Sequence, residues 1–321
     1  MSTGFDVRVL KRSEETADIV SLELENIDKT ALFPFTAGAH IDFTAPNGML
    51  RQYSLCGNPS DCQSYLVGIL RDPKSRGASE AIHQQIQEGD IVRISAPKNH
   101  FELLPAKHSL LLAAGIGVTP LLSMAEQLIE NGDDFELHYY ARSRDRAAFL
   151  SRFEGQGAKF AGRVTFHFDD EIADHSQGMR ALLSSPSPQV HAYICGPSGF
   201  IELVCTTAKD NGWQGCQLHV EHFSASQRVD ETVNSFNVRI ASTDEVHHIP
   251  HNESIANVLA KQGIAIPMSC QEGVCGTCIT AVLEGEPDHR DCYFSDEEKA
   301  QNNQMMPCCS RSKSLELVLD L

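Results

Sequence analysis

Residues 108–120 read HSLLLAAGIGVTP. Residues 110–114, preceded by Ser109, form an unbroken apolar run, the pattern of a parallel strand covered on both faces. Gly115 and Gly117 follow, and a helical pattern runs from Pro120 to about residue 129. A strand, a glycine turn and a helix in that order make a phosphate site. Gly115 and Gly117 allow backbone to approach a pyrophosphate. Thr119 is expected to cap the helix and Pro120 to occupy its first turn. The helix start then offers N–H groups and a positive dipole end. Pro120 stands where the third glycine of a full G-x-G-x-x-G would be, so a plain strand–helix turn stays open as an alternative.

Downstream the rhythm continues. Strand patterns at 135–140, 164–168 and 190–195 alternate with helical ones at 147–153, 178–183 and 200–211. Strand–helix alternation predicts a doubly wound parallel sheet. Its strand at 190–195 ends in Cys195-Gly196-Pro197, at the edge where such sheets bind ligands. A small polarisable sulfur at Cys195 can touch a nicotinamide ring without blocking it. The plainer reading is a buried structural cysteine.

Upstream, short β-rich segments at 5–10, 19–24, 40–43, 52–55, 65–70 and 90–95 are punctuated by Gly38, Pro46-Asn47-Gly48 and Asn58-Pro59. They predict a small antiparallel barrel of six strands. Within it, RQYSL at 51–55 places Arg51, Tyr53 and Leu55 on one face and Gln52 and Ser54 on the other. Arginine can hold phosphate and tyrosine can pack on a flavin ring. Arg71 and the turn SRGAS at 75–79 follow in a strand–turn–helix setting, where Ser79 and nearby N–H groups suit phosphate. Each of these also reads as an ordinary surface strand or capped helix.

The segment 224–234, SASQRVDETVN, is polar and reads as a linker. The last ninety residues form a small α+β unit that holds CQEGVCGTC at 270–278. Its cysteines, Cys270, Cys275 and Cys278, are spaced C-x4-C-x2-C, and a fourth follows at Cys308 or Cys309. Three close thiolates and one distant match the plant-type [2Fe–2S] pattern rather than paired zinc-binding units. Gly273 and Gly276 let the loop wrap and aim N–H groups at sulfur. The odd total of eleven cysteines argues against a disulfide framework.

Composition excludes several classes. With 26 Lys and Arg against 43 Asp and Glu, the formal charge is −17 and no basic run exceeds two residues, so no nucleic-acid footprint is present. The acidity either keeps the chain soluble or steers a basic protein partner, with 288–298 as the candidate docking stretch. No apolar run approaches a membrane span. The N-terminal MSTGFDVRVLKRSEE lacks a secretory core, so a cytoplasmic location is expected.

Taken together, these motifs resemble the phthalate dioxygenase reductase family, which includes vanillate O-demethylase-type reductases. The resemblance covers essentially the whole chain. RQYSL resembles the family's R-x-Y-S, and SRGAS its G-R-G-G-S turn with Ser75 and Ala78 in place of glycines. AAGIGVTP resembles G-G-I-G-x-T-P with Ala114 in place of glycine. CGPSGF resembles C-G-P, and residues 284–321 are similar almost throughout. The resemblance implies an FMN barrel (1–106), a ferredoxin-reductase-like NAD domain (107–223), a linker (224–234) and a β-grasp ferredoxin domain (235–321). It implies FMN bound by Arg51, Tyr53, Ser54, Leu55, Arg71, Gly77, Ala78 and Ser79, with Phe223 against the flavin. NADH would lie on Gly115, Gly117, Thr119, Pro120, Cys195, Gly196 and Pro197, with Cys195 at the reacting ring. The cluster would be held by Cys270, Cys275, Cys278 and Cys308. The implied acceptor is a Rieske-type oxygenase, with a dehalogenase-like acceptor or a redox sensor as alternatives. A monomer is the default. Arg142, Arg144 and Arg146 leave a 2′-phosphate reader, and hence NADPH, open.

Overall fold

The structure, a computed structural model, describes residues 4–72, 77–154, 159–172, 174–223, 235–268, 271, 273, 276–291 and 293–321. The chain divides into two compact units, Met1–Glu221 and His222–Leu321.

The first unit begins with an antiparallel sheet. Its strands are β1 (Phe5–Thr16), β2 (Ile19–Asn26), β3 (Ala39–Thr44), β4 (Leu50–Ser54), β5 (Ser64–Leu70), β6 (Ile91–Ile94) and the two-residue β7 (Lys98–Asn99). Six of them run in the order β4-β3-β6-β1-β2-β5, and β7 adds to β3. The sheet curls until its ends meet at a single antiparallel bridge, Leu55 to Val67. Inward residues such as Val20, Ile41, Phe43 and Tyr65 fill the interior completely. This is the expected six-stranded barrel, with β7 as an addition. One helix, α1 (Ala78–Gln85), follows β5.

The second sheet is parallel. It contains β8 (His108–Ala114), β9 (Phe135–Ala141), β10 (Val164–Phe168), β11 (Val190–Cys195) and β12 (Leu218–Glu221), in the order β10-β9-β8-β11-β12. Helices α2 (Val118–Asn131), α3 (Leu150–Phe153), α4 (Ser176–Leu182) and α5 (Ser198–Asp210) connect the strands. Leu110, Leu111, Leu112 and Ala113 are all buried, which explains the unbroken apolar run: both faces of β8 are covered. Strand order reverses between β8 and β11, so their carboxyl ends flank a switch point, where open sheets take ligands. Barrel residues Ile19, Ala37, Cys56 and Phe101 belong to the same apolar core as α2. Added bulk at Gly68 of β5 would lie 2.8 Å from the Thr119 methyl and 3.0 Å from the Phe149 ring.

The second unit is a mixed five-stranded sheet with order β14-β13-β19-β15-β17. Its strands are β13 (Phe236–Ile240), β14 (Val246–Ile249), β15 (Thr280–Glu284), β17 (Gln304–Met305) and β19 (Glu316–Leu319), beside a β16 (Pro287–Asp288) and β18 (Arg311–Ser312) pair. Helix α6 (Ile255–Lys261) buries Ile255, Val258 and Leu259 in the core with Leu317 and Leu319, and α7 (Asp296–Ala300) follows β16. A sheet grasping one helix is the expected ferredoxin-type unit. Among the described residues no helix is long and apolar enough to cross a membrane.

Candidate functional site

At the switch point two loops leave neighbouring parallel strands, with Ala113 paired to Cys195. After β8 the chain makes a 3-10 turn over Gly115–Gly117 and enters α2. A Cβ on Gly117 would stand 2.2 Å from the Cys195 carbonyl oxygen, and one on Gly196 would stand 2.8 Å from Ala114 Cβ. The loops therefore lock backbone to backbone. Gly117 has a further reason to be glycine: its missing side chain makes room for Cys195. Gly115, at φ +55° with open space beside it, is the glycine that leaves its side of the turn clear.

Thr119 does not cap α2. Its hydroxyl donates to the Ile116 carbonyl at 2.9 Å, where Pro120, four residues on, has no N–H to offer. Pro120 lies in the first helical turn as expected, and Pro197 precedes α5.

Cys195 is fully buried, and burial together with the nearby Glu221 carboxyl pushes its thiol well above the ordinary range. It is a neutral thiol, suited to contact and not to nucleophilic attack. Glu221, half-buried at the end of β12, pairs in register with Cys195 and accepts a hydrogen bond from the Ser54 hydroxyl at 3.4 Å. Loss of water pushes its carboxyl up to about 8. Ser54, Cys195 and Glu221 thus meet where the barrel joins the parallel sheet. Sequence reading passed over Glu221. Its only signal is an acid ending a strand beside the one that ends in Cys195.

That carboxyl has a checkable consequence. Its folded pKa lies above the usual carboxylate value, so folding favours the protonated form. Stability conferred by that form is complete below about pH 4.5 and is lost progressively up to about pH 8. Glu221→Gln should flatten the fall in melting temperature across this window. An unchanged slope would show that the carboxyl is already ionised in the fold.

The flavin-side expectations divide along the strand. Tyr53 turns inward and packs edge-on against Phe43 at 5.9 Å, and burial raises its phenol pKa. Leu55 is wholly buried. Ser54 and Gln52 face the other way, Gln52 donating to Asp42 at 3.2 Å. Arg51 donates to the Leu50 carbonyl at 2.7 Å. Gly77, at φ +96°, precedes α1, and its α-carbon faces Asn47 in the turn leading to Arg51, 3.8 Å from where a Cβ would be. The α1 start and Arg51 are therefore gathered at one end of the barrel. Ala78 and Ser79 are buried, and the Ser79 hydroxyl accepts the Asp72 N–H at 3.2 Å. Arg71 is exposed beyond β5. Ser75 and Arg76 lie outside the described residues. Phe223, the second residue of the second unit, has an exposed side chain.

In the second unit Cys278 and Cys308 are hydrogen-bonded to each other, and the Gly273 N–H is directed at the Cys308 sulfur. Cys309 also bonds to Cys308, but its sulfur turns to the Met306 carbonyl and Ser310 hydroxyl, both at 3.8 Å. Gly273 and Gly276 adopt φ of +73° and +71°. A Cβ on Gly273 would meet Cys309 sulfur at 2.5 Å, and one on Gly276 would meet the Tyr293 ring at 2.6 Å. Left-handed turns at Gly273 and Gly276 that leave no room for a side chain, an N–H aimed at sulfur and two converging thiols fit an iron–sulfur cluster. Cys270, Cys275 and the linker 224–234 lie outside the described residues.

The acidic stretch 288–298 is partly consumed internally. Asp288 pairs with Arg290 at 2.7 Å, Asp291 is buried, and Glu298 forms a capping box with Ser295.

Comparison with known proteins agrees with this layout. Residues 111–206 match the oxidoreductase NAD-binding domain, and residues 238–313 match the 2Fe-2S iron-sulfur cluster binding domain. The chain is 48% identical to the vanillate O-demethylase oxidoreductase of Pseudomonas putida, over 98% of this chain and 99% of that one. Among solved structures it is similar to phthalate dioxygenase reductase, described as modular for electron transfer from pyridine nucleotides to [2Fe–2S]. The TM-score is 0.79 and the identity 35%, over 99% and 98% of the two chains. It is also similar to an intact type IV self-sufficient cytochrome P450 monooxygenase, with a TM-score of 0.80 and 33% identity over 99% of this chain and 41% of that one. Nicotinamide and cluster modules in that order, with 48% identity over nearly the whole chain and a full-length structural match to phthalate dioxygenase reductase, place the chain in the phthalate dioxygenase reductase family of iron–sulfur flavoprotein oxidoreductases.

Proposed function

We propose that this chain carries electrons from NADH through FMN and a [2Fe–2S] cluster to a Rieske-type oxygenase component. The observation that carries the reading is the full-length likeness to an oxygenase reductase, with nicotinamide and cluster modules both present. Flavin-binding residues occupy 1–106, nicotinamide-binding residues 107–223 and cluster ligands 235–321, joined through 224–234. The protein is proposed to be monomeric and cytoplasmic. FMN, when bound, takes a hydride's electron pair and releases electrons singly, which lets a two-electron donor serve a one-electron acceptor.

The chain's own residues supply position and electrostatics. Arg51 and the turn at Gly77–Ser79 hold the flavin phosphate, Ser54 and the backbone of Tyr53 and Leu55 line the ring, Arg71 supports the cofactor, and Phe223 covers it. Gly115 and the start of α2 take the NADH pyrophosphate. The neutral Cys195 thiol and the Gly196-Pro197 turn border the nicotinamide, and Glu221 with Ser54 shields its far side. Cys270, Cys275, Cys278 and Cys308 hold the cluster.

An absorption spectrum with acid release of the flavin tests the cofactor set. NADH-driven turnover of a purified Rieske oxygenase tests the acceptor. Release of FAD, or failure to support any such oxygenase, would sink the reading. The likeness to a cytochrome P450 monooxygenase favours a second reading, in which the acceptor is another class of oxygenase.

Donor choice should be NADH over NADPH. Arg144 pairs with Glu154 and Arg146 with Asp18 at 2.7 Å, so two arginines of the candidate fork are engaged elsewhere. Asp169 and Asp170 pair through their N–H groups with the carbonyls of Ala141 and Arg142, setting an acidic run beside that corner. Carboxylates there favour a ribose hydroxyl and repel a 2′-phosphate. We expect kcat/KM for NADH to exceed that for NADPH by at least about 100-fold, the size of a lost charged contact. Parity between the two would return Arg142 to the role of phosphate reader.

A further inference from the structure

Asp291 is a carboxylate with no exposed side-chain surface, held against the cluster loop. Its Oδ2 accepts the Phe294 N–H at 3.0 Å and its Oδ1 accepts the Ser310 hydroxyl at 3.3 Å. Bulk added at Gly273 would lie 3.1 Å from Asp291 Cα and 3.3 Å from its Cβ, and Gly273 is the residue whose N–H is aimed at Cys308 sulfur. Asp291 is thus one residue removed from a proposed ligand sulfur, through a backbone amide.

The charges facing it are few. Lys299 Nζ stands 3.9 Å from Oδ2 and spends a hydrogen bond on the Asp291 carbonyl at 2.8 Å. Arg290 is turned to Asp288. His289 Nδ1 is 3.4 Å from Oδ1, yet among the described residues neither of its ring nitrogens has a hydrogen-bond partner. Three of these features are local: an Asx-type turn, a lysine on a carbonyl and a serine on a carboxylate would stabilise any loop. A buried anion is more than such a turn needs, because an asparagine would accept the same N–H.

Four thiolates and two bridging sulfides leave a [2Fe–2S] cluster anionic, and reduction adds one more negative charge. A carboxylate fixed nearby in a low-dielectric interior opposes that electron. We propose that Asp291 is a positioning residue that lowers the cluster's reduction potential, with Lys299 as its partial counterweight. This rests on the reading of 270–278 and Cys308 as the [2Fe–2S] site.

The test is a redox titration of the full-length holoprotein, with the reduced-cluster EPR signal as readout. A unit charge over roughly 10 Å of partly shielded interior shifts a one-electron equilibrium by about tenfold, which is about 59 mV. Asp291→Asn keeps the acceptor for Phe294 and should raise the midpoint by that amount. Lys299→Met, at a partly exposed site, should lower it by a smaller amount. Opposite signs are what a charge predicts and a merely structural role does not. Unmoved midpoints overturn the inference and leave the cluster assignment standing. If Asp291→Asn fails to load a cluster, the direction of the Lys299→Met shift decides: a fall upholds the inference and no change overturns it. Absence of any [2Fe–2S] signal in the unaltered protein overturns the cluster assignment and the inference with it.

Discussion

Serine in place of Cys308 should empty the cluster site, while serine in place of Cys309 should leave it filled. The two thiols are adjacent in sequence but point differently. Cys308 bonds to Cys278 and receives the Gly273 N–H, whereas Cys309 also faces Met306 and Ser310. Losing a mere supporting contact around a metal costs about 10–100-fold in affinity, so losing a ligand thiolate should cost no less. Iron and acid-labile sulfide in purified Cys308→Ser protein should therefore fall at least about tenfold. NADH-dependent flavin reduction should persist, because its residues, Phe223 apart, lie in the first unit and none of them is a cluster ligand. Parent-like iron in Cys308→Ser, or an empty Cys309→Ser, would reverse the assignment.

A comparable loss is expected at the other end of the electron path from a single methyl group. Gly117→Ala must place Cβ against the Cys195 carbonyl, 2.2 Å away, and every atom it meets there is backbone. Overpacking of this kind costs about 1–3 kcal/mol or more. The larger effect is on geometry. Displacing a binding loop by about 1 Å can cost about 100-fold in rate. We expect kcat/KM for NADH to fall by about that factor, with a melting temperature lower by several degrees. Gly115→Ala is the control: it has open space and meets only the strain of φ +55°, about 1 kcal/mol. Equal behaviour of the two variants would show that the loops are not locked together.

Much of this was legible in the residues, and the gaps have a common cause. Strand spacing announced the barrel, the apolar run at 110–114 announced a strand covered on both faces, and C-x4-C-x2-C announced a cluster loop. Each of these signals is local. What was missed turned mostly on partners remote in sequence. Gly117 is needed because of Cys195, and Arg146 is engaged because Asp18 meets it from 128 residues away. Glu221 matters only because Ser54 reaches it across 167 residues. Thr119 failed as a cap for a nearer reason, since the chain turns through a 3-10 step whose carbonyl claims the hydroxyl first.

The crowding at Gly68 bears on how such reductases can be cut and recombined. Ile19, Ala37, Cys56 and Phe101 share one apolar core with α2, and Thr119 and Phe149 press on the β5 backbone. A graft made near residue 106 would tear that core and leave two raw apolar faces, however well motifs align there. The workable seam for exchange between relatives follows Glu221, where one compact unit ends. Chimeras joined after that residue should inherit the donor preference of one parent and the acceptor preference of the other. The flavin and nicotinamide halves, by contrast, share one core and should exchange only as a single block.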